Sequence, residues 1–172
     1  MIEKLLLFKE SGLLILKKKL TNKEEEDTED LASGFFSALF QYFSTHFGKI
    51  ESIKTTDYLI LMTKIDKIYI VLISAWIKEQ GKNLINDGIY FLNRRLEEIS
   101  IKTLKYIEQK LKLDILKICK EYNKLTINSE TMDKINKQID EILEVQSEKI
   151  KIIREIESPE NFTLNFSKIY EL

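Results

Sequence analysis

Residues 49–76 read KIESIKTTDYLILMTKIDKIYIVLISAW. Three segments, 49–55, 58–65 and 67–76, are dense in Ile, Leu, Val and Tyr, which suit strands. Thr56-Asp57 and Asp66-Lys67 separate them, and these short polar links suit tight turns. This spacing predicts a three-stranded meander. The two later runs are nearly continuous in apolar character, which places them inside a sheet. KIESIKT is thinner and carries lysines, which discourage uncontrolled pairing and fit an edge strand.

The N-terminus supplies two more strands. IEKLLLFK (2–9) and LLILKKKL (13–20) flank Glu10-Ser11-Gly12, and glycine takes a turn conformation at little cost. A hairpin is predicted, with a single helix over 2–20 as the alternative. The acidic stretch TNKEEEDTED (21–30) reads as a solvated link running into a helix start, where unpaired N–H groups favour acids. It lacks the spacing of a calcium-binding loop.

DLASGFFSALFQYFSTHFG (30–48) holds five phenylalanines and the only histidine, His46. Ala32, Phe35 or Phe36, Leu39, Phe43 and Phe47 recur at helical spacing, with Phe40 widening the stripe. They predict a crossover helix lying on one sheet face. Asp30 caps its start and Gly48 its end. Gly34 costs about 1 kcal/mol of helix propensity, so a close approach to the sheet is expected there.

Beyond the meander, Leu84, Ile85, Ile89, Phe91, Leu92, Leu96 and Ile99 form one apolar stripe. Leu104, Ile107, Leu111, Ile115, Ile118 and Tyr122 form another. Two helices, 78–100 and 102–124, are expected, with a break near Glu98–Ile101 and Ser100 as its cap. The second carries seven lysines (102, 105, 110, 112, 117, 120 and 124) against three acids, read as a solvated face or a mildly basic docking surface. A further helix starts at Ser129 and stops before Ser158-Pro159. Ile135, Ile139, Ile142, Val145 or Gln146, Ile153 and Ile156 form its stripe, which packs back on the domain or pairs in a coiled coil. Phe162, Leu164 and Phe166 alternate, as in an extended segment. The division expected is 1–125 for the domain and 126–172 for a C-terminal helix and tail.

The fold class implied is α+β, a five-stranded antiparallel sheet packed with helices. The element order, with SGLLILKKKL as second strand, DLASGFFSALFQYFSTHFG as helix and IESIKTTDYLILMTKIDKIYIVLIS as meander, resembles the longin domain. That domain is the β-β-α-β-β-β-α-α relative of the roadblock fold. The resemblance covers 2–124. A roadblock domain proper would begin with a helix. The resemblance implies a non-enzymatic platform in trafficking or signalling that binds a small Ras-like GTPase or a second longin or roadblock subunit, often as a dimer. It implies no catalytic residues of the domain's own. Docking would use the edge strand and the polar side of the first helix. The candidate interface is therefore Lys49, Glu51, Ile53 and Thr55, with Ser37, Gln41, Ser44 and Thr45. The C-terminal helix also resembles the heptad helix of longin SNAREs, with Gln146 in the middle, but Lys149 spoils a layer and the run is short.

Chemistry is thinly represented. There is no GxxxxGK[ST] loop and no GxGxxG after a strand. One histidine and one cysteine make a zinc site a poor fit, so no metal or cofactor is expected. Cys119 lies in a helical pattern with no neighbouring histidine to activate it. His46 suits the carbonyl-rich end of its helix. Arg94-Arg95 reads as a solvated pair or a contact for phosphate or carboxylate. Aromatic richness around Tyr42, His46 and Tyr58 is the cue for an alternative, a small-ligand sensor or enzyme with a pocket between sheet and helices. A net charge of -1 speaks against nucleic acid. The lone cysteine, the absence of a signal-peptide pattern and the absence of an 18-residue apolar run lead to the expectation of a cytoplasmic protein with at most peripheral membrane association.

Overall fold

The structure, a computed structural model, describes residues 2–19, 29–78, 86–120 and 129–155. In chain order it contains β1 (Ile2–Lys9), β2 (Leu14–Lys19), α1 (Glu29–His46), β3 (Ser52–Lys54), β4 (Tyr58–Ile65), β5 (Ile68–Ala75), α2 (Asn86–Lys120) and α3 (Ser129–Glu155). The five strands make one antiparallel sheet in the order β2-β1-β5-β4-β3. The five-stranded antiparallel sheet packed with helices in the order β-β-α-β-β-β-α-α is as the sequence predicts, with the two helices expected over 78–100 and 102–124 merged as α2 and the helix from Ser129 as α3.

Alternation along the strands separates the two faces. Leu5 and Leu7 of β1, Leu59 and Leu61 of β4, and Ile68, Ile70 and Leu72 of β5 share one core with α2 and α3. Leu6 and Phe8, Met62, and Tyr69 and Val71 share the other with Phe40 of α1. Register keeps like with like, as where Leu6 lies opposite Val71 and Val71 opposite Met62. A one-residue slip would exchange the two faces, so burial on both sides fixes the register.

The hairpin turn is held by more than its own two strands. Gly12 has φ +88°, open to glycine at little cost. On α1, Ser33 Oγ donates to Gly12 O at 2.7 Å, and Ser37 Oγ and Gln41 Nε2 both donate to Glu10 O. These three residues are spaced i, i+4, i+8, one side of a helix. The close approach expected at Gly34 is therefore to the turn rather than to the sheet. A Cβ at Gly12 would stand 3.0 Å from Gly34 Cα, while a Cβ at Gly34 would meet nothing within 4 Å. Helix α1 is described from Glu29, and the side chain of Asp30, the cap expected from the sequence, lies outside the described residues. Gly48, with φ +102°, ends the helix and returns its N–H to Phe43 O at 2.9 Å.

The break expected near Glu98–Ile101 does not occur, because α2 runs unbroken for 35 residues. Ser100 is buried, and its hydroxyl meets that of Ser74 on β5 at 2.9 Å. Thr103 turns its hydroxyl back to Ile99 O at 2.8 Å. Ser100 is satisfied by the strand below and Thr103 by its own helix, so neither side chain caps a helix end. Leu92, Leu96, Ile99, Leu104, Ile107, Leu111, Ile115 and Ile118 are buried along a single stripe.

Helix α3 starts at Ser129 as expected, and Ile135, Ile139 and Ile142 enter the same core as α2. Lys18 of β2 pairs with Asp140 at 2.8 Å. Lys134 and Lys117 both reach the buried carboxylate of Asp114, at 3.0 and 3.4 Å. Burial pushes that carboxyl up, but the two ammonium groups outweigh it and hold it below the usual range. Leu84, Ile85, Tyr122, Ile156 and the alternating 162–166 segment lie outside the described residues, as do Ser158-Pro159.

Candidate functional site

The aromatic residues of α1 divide into two sets. Phe40 is buried against Phe8 and Tyr69, with Phe36 stacked on Phe40 at 5.6 Å. Phe35, Tyr42 and Phe47 face the other way, 63 %, 56 % and 72 % exposed. Consecutive helical residues are about 100° apart, so Phe35 and Phe36 cannot share one face. Tyr42 touches Phe43, His46 and Phe47 at ring separations of 5.9, 4.8 and 6.1 Å. The end of α1 is thus a contiguous aromatic cluster open to solvent. Tyr42 and Phe47 belong to this cluster, while Phe35 stands two turns earlier against Phe36; the three rings together leave roughly 300–400 Å² of surface uncovered. That total is within the range of the largest apolar patch on an ordinary monomer, and such patches are often functional.

The second surface is the sheet edge. β3 is the terminal strand, and it is only three residues long, shorter than the 49–55 segment expected. Ile53 is half-buried beneath α1, opposite Ile60. Lys49 and Glu51 are exposed and lie 3.8 Å apart. Thr55 uses its hydroxyl to accept the N–H of Tyr58 at 2.9 Å, closing the turn into β4.

The candidate interface residues therefore do not form one surface. Ser37, buried, and Gln41, exposed, both bond Glu10 O and hold the β1–β2 turn. Thr45 returns its hydroxyl to Gln41 O at 2.9 Å, and Ser44 is exposed. Ser37 and Gln41 attach to the hairpin at the β2 side of the sheet, whereas Lys49–Thr55 follows the opposite edge. Periodicity attributes the phenylalanines to the core and the hydroxyls to the surface. The signal for the opposite is present: five phenylalanines with Tyr42 are more than one helical face can hide.

The other sequence candidates resolve as follows. Cys119 is half-buried, and burial pushes its thiol up, so it stays protonated and a poor nucleophile. Tyr42 and His46 stack on the exterior of α1, away from any pocket between sheet and helices. Lys102, Lys105, Lys110, Lys112, Lys117 and Lys120 are exposed along α2, a solvated face, and Lys124 lies outside the described residues. The SNARE-like layers Ile135, Ile139 and Ile142 are already buried within the chain, so they are not available to pair with other helices. Among the described residues no group of three or more His, Cys, Asp or Glu could hold a metal ion, and no helix is long and apolar enough to cross a membrane.

No family model matches the sequence, and no curated protein matches it. Among solved structures, the chain is similar to the gliding protein MglB of Thermus thermophilus, at 8 % identity and a TM-score of 0.38 over 43 % of this chain and 61 % of that one. It is also similar to a Roadblock/LC7 domain from Streptomyces avermitilis, at 13 % identity and a TM-score of 0.35 over 43 % of this chain and 66 % of that one. The matched part spans less than two thirds of either chain. At these values the fold rests on the strand order and register described above.

Proposed function

We propose that the chain is a non-enzymatic protein-binding module whose partner is a small Ras-like GTPase or a second longin or roadblock subunit. The observation that carries this reading is the exposed aromatic face of α1, the Tyr42–Phe47 cluster with Phe35 two turns before it. Interfaces combine an apolar centre with a polar rim, and about 600–1,000 Å² per partner is needed for a stable complex. The rings supply the centre. Ser44, Thr45, Lys49 and Glu51 supply part of the rim. Burying the aromatic area is worth about 9 kcal/mol gross, comparable to the cost of association, estimated at about 4–15 kcal/mol. The rings alone therefore sustain at most weak pairing, and a complementary partner must add the rest. The choice between a GTPase and a like-folded subunit follows the longin resemblance.

Calorimetric titration of the purified chain with small GTPases loaded with GDP or a GTP analogue, and with itself by dilution, tests the reading. Binding by one nucleotide form, or measurable self-dissociation, supports it. Neither heat signal up to millimolar concentration contradicts it.

A further inference from the structure

Helix α2 carries six lysines from Lys102 to Lys120, and they fall into two groups. At 100° per residue, Lys110 and Lys117 lie within about 60° of Asp114 around the helix. Asp114 is the carboxylate that Lys134 of α3 reaches, so this side faces α3. Both lysines are occupied there. Lys117 pairs with Asp114 at 3.4 Å, and Lys110 sits over the Tyr106 ring at 5.4 Å. Lys102, Lys105, Lys112 and Lys120 lie about 120–180° from Asp114, on the flank turned away from α3. All four are exposed, and none makes an ion pair among the described residues. Leu113 stands among them, 73 % exposed and part of neither core. The other acid of this stretch, Glu108, is half-buried at the sheet-side margin. One turn before Lys102, Glu98 is held by Arg95 at 2.7 Å. The flank therefore offers unneutralised positive charge around one apolar crest, over about 27 Å at 1.5 Å per residue.

We propose that this flank of α2 docks on an anionic lipid bilayer, with Leu113 entering the headgroup region and the four lysines reaching lipid phosphates around it. Lysine stems cover apolar surface while their ammonium groups stay in water, as a helix lying in an interface needs. Clusters of four or more basic residues on such a helix are drawn to anionic lipid. An acidic protein is the poorer fit. Protein interfaces are depleted in lysine and favour arginine, whose rigid fork matches carboxylates, and α2 has no arginine from 102 to 120. A lone leucine on a convex helix enters a bilayer directly, whereas a protein partner would have to be hollowed to receive it. Asp133, Asp140 and Glu141 are exposed on α3, beyond the other side of α2, and turn the bilayer toward this flank. With a net charge of -1 the attraction is local, so it orients the chain. Helix α1 packs on the opposite face of the sheet. A docked chain thus keeps the Tyr42–Phe47 cluster free, and the proposal does not rest on what that cluster binds.

Co-sedimentation of the full chain with vesicles tests it, using phosphatidylcholine alone and an equal mixture with phosphatidylglycerol. The chain binds the mixed vesicles, and added salt releases it. It stays in solution with phosphatidylcholine alone. Lys105→Gln/Lys112→Gln lowers the partition coefficient about twentyfold. Leu113→Gln lowers it severalfold, and Lys137→Gln on α3 leaves it unchanged. These side chains are exposed, and matching circular dichroism melts verify that the variants fold. No binding to mixed vesicles at low salt, equal binding to both vesicles, or indifference to the double variant overturns the proposal. Binding to polyglutamate without binding to mixed vesicles also overturns it, and assigns the flank to an acidic protein.

Discussion

Replacing Gly12 with alanine separates two glycines that look alike in sequence. Gly12 sits at φ +88°, and a left-handed conformation costs an L-residue roughly 1–2 kcal/mol. The new Cβ would also stand 3.0 Å from Gly34 Cα, which is backbone and cannot rotate away. The turn must lift from α1, stretching the bonds from Ser33 to Gly12 and from Ser37 to Glu10, each worth about 1 kcal/mol. Gly12→Ala is therefore expected to destabilise the chain by about 2–3 kcal/mol. Gly34→Ala should do the opposite, because its Cβ meets nothing within 4 Å and the helix gains about 1 kcal/mol of propensity. Urea unfolding followed by circular dichroism reads both. At this chain length each kcal/mol moves the melting temperature by about 2–4 °C. A neutral Gly12→Ala, or a Gly34→Ala that is the more damaging of the two, refutes the clamp between the hairpin turn and α1.

Ser74→Ala and Ser100→Ala should each cost about 1–2 kcal/mol by leaving the other hydroxyl buried and unpaired, whereas the double variant falls well below their sum; a denaturation-based double-mutant cycle reads the coupling. Ile139→Ala should cost about 2–4 kcal/mol if α3 belongs to the core, measured by urea midpoint, while a surface-like loss below about 0.5 kcal/mol would detach that helix. Asp114 has its folded pKa below the ordinary aspartate value, so its contribution is present above that ordinary value and is lost as pH falls through the folded pKa. Asp114→Asn should cost about 1 kcal/mol at neutral pH, with the gap from the wild type closing in acid urea titrations.

Much of the fold was legible because two periods were clean. Strand runs with turn residues between them gave the hairpin and meander, and β4 and β5 alternate between their two cores as a sheet covered on both faces requires. What failed shares a physical cause: single polar residues were read by type rather than by partner. Ser100 looked like a cap because its bond to Ser74 is invisible in sequence, 26 positions away. Ser37 looked like surface because its acceptor, the Glu10 carbonyl, belongs to another element, whereas Gln41 shares that acceptor and stays exposed. The phenylalanines of α1 looked uniformly internal because helical spacing gives faces and not the number of faces a neighbour covers. The helix that bears Ser37 and Gln41 was found, but not that both bond the hairpin turn.

Binding through the outward aromatic face of α1, as proposed, is tested most directly by mass in solution. Light scattering coupled to size exclusion measures it on the full chain and on Tyr42→Glu/Phe47→Glu, each alone and mixed with the partner selected by titration. The account predicts a complex mass for the wild type, a monomer mass for the variant under the same conditions, and matching circular dichroism for both. An unchanged complex mass in the variant contradicts it.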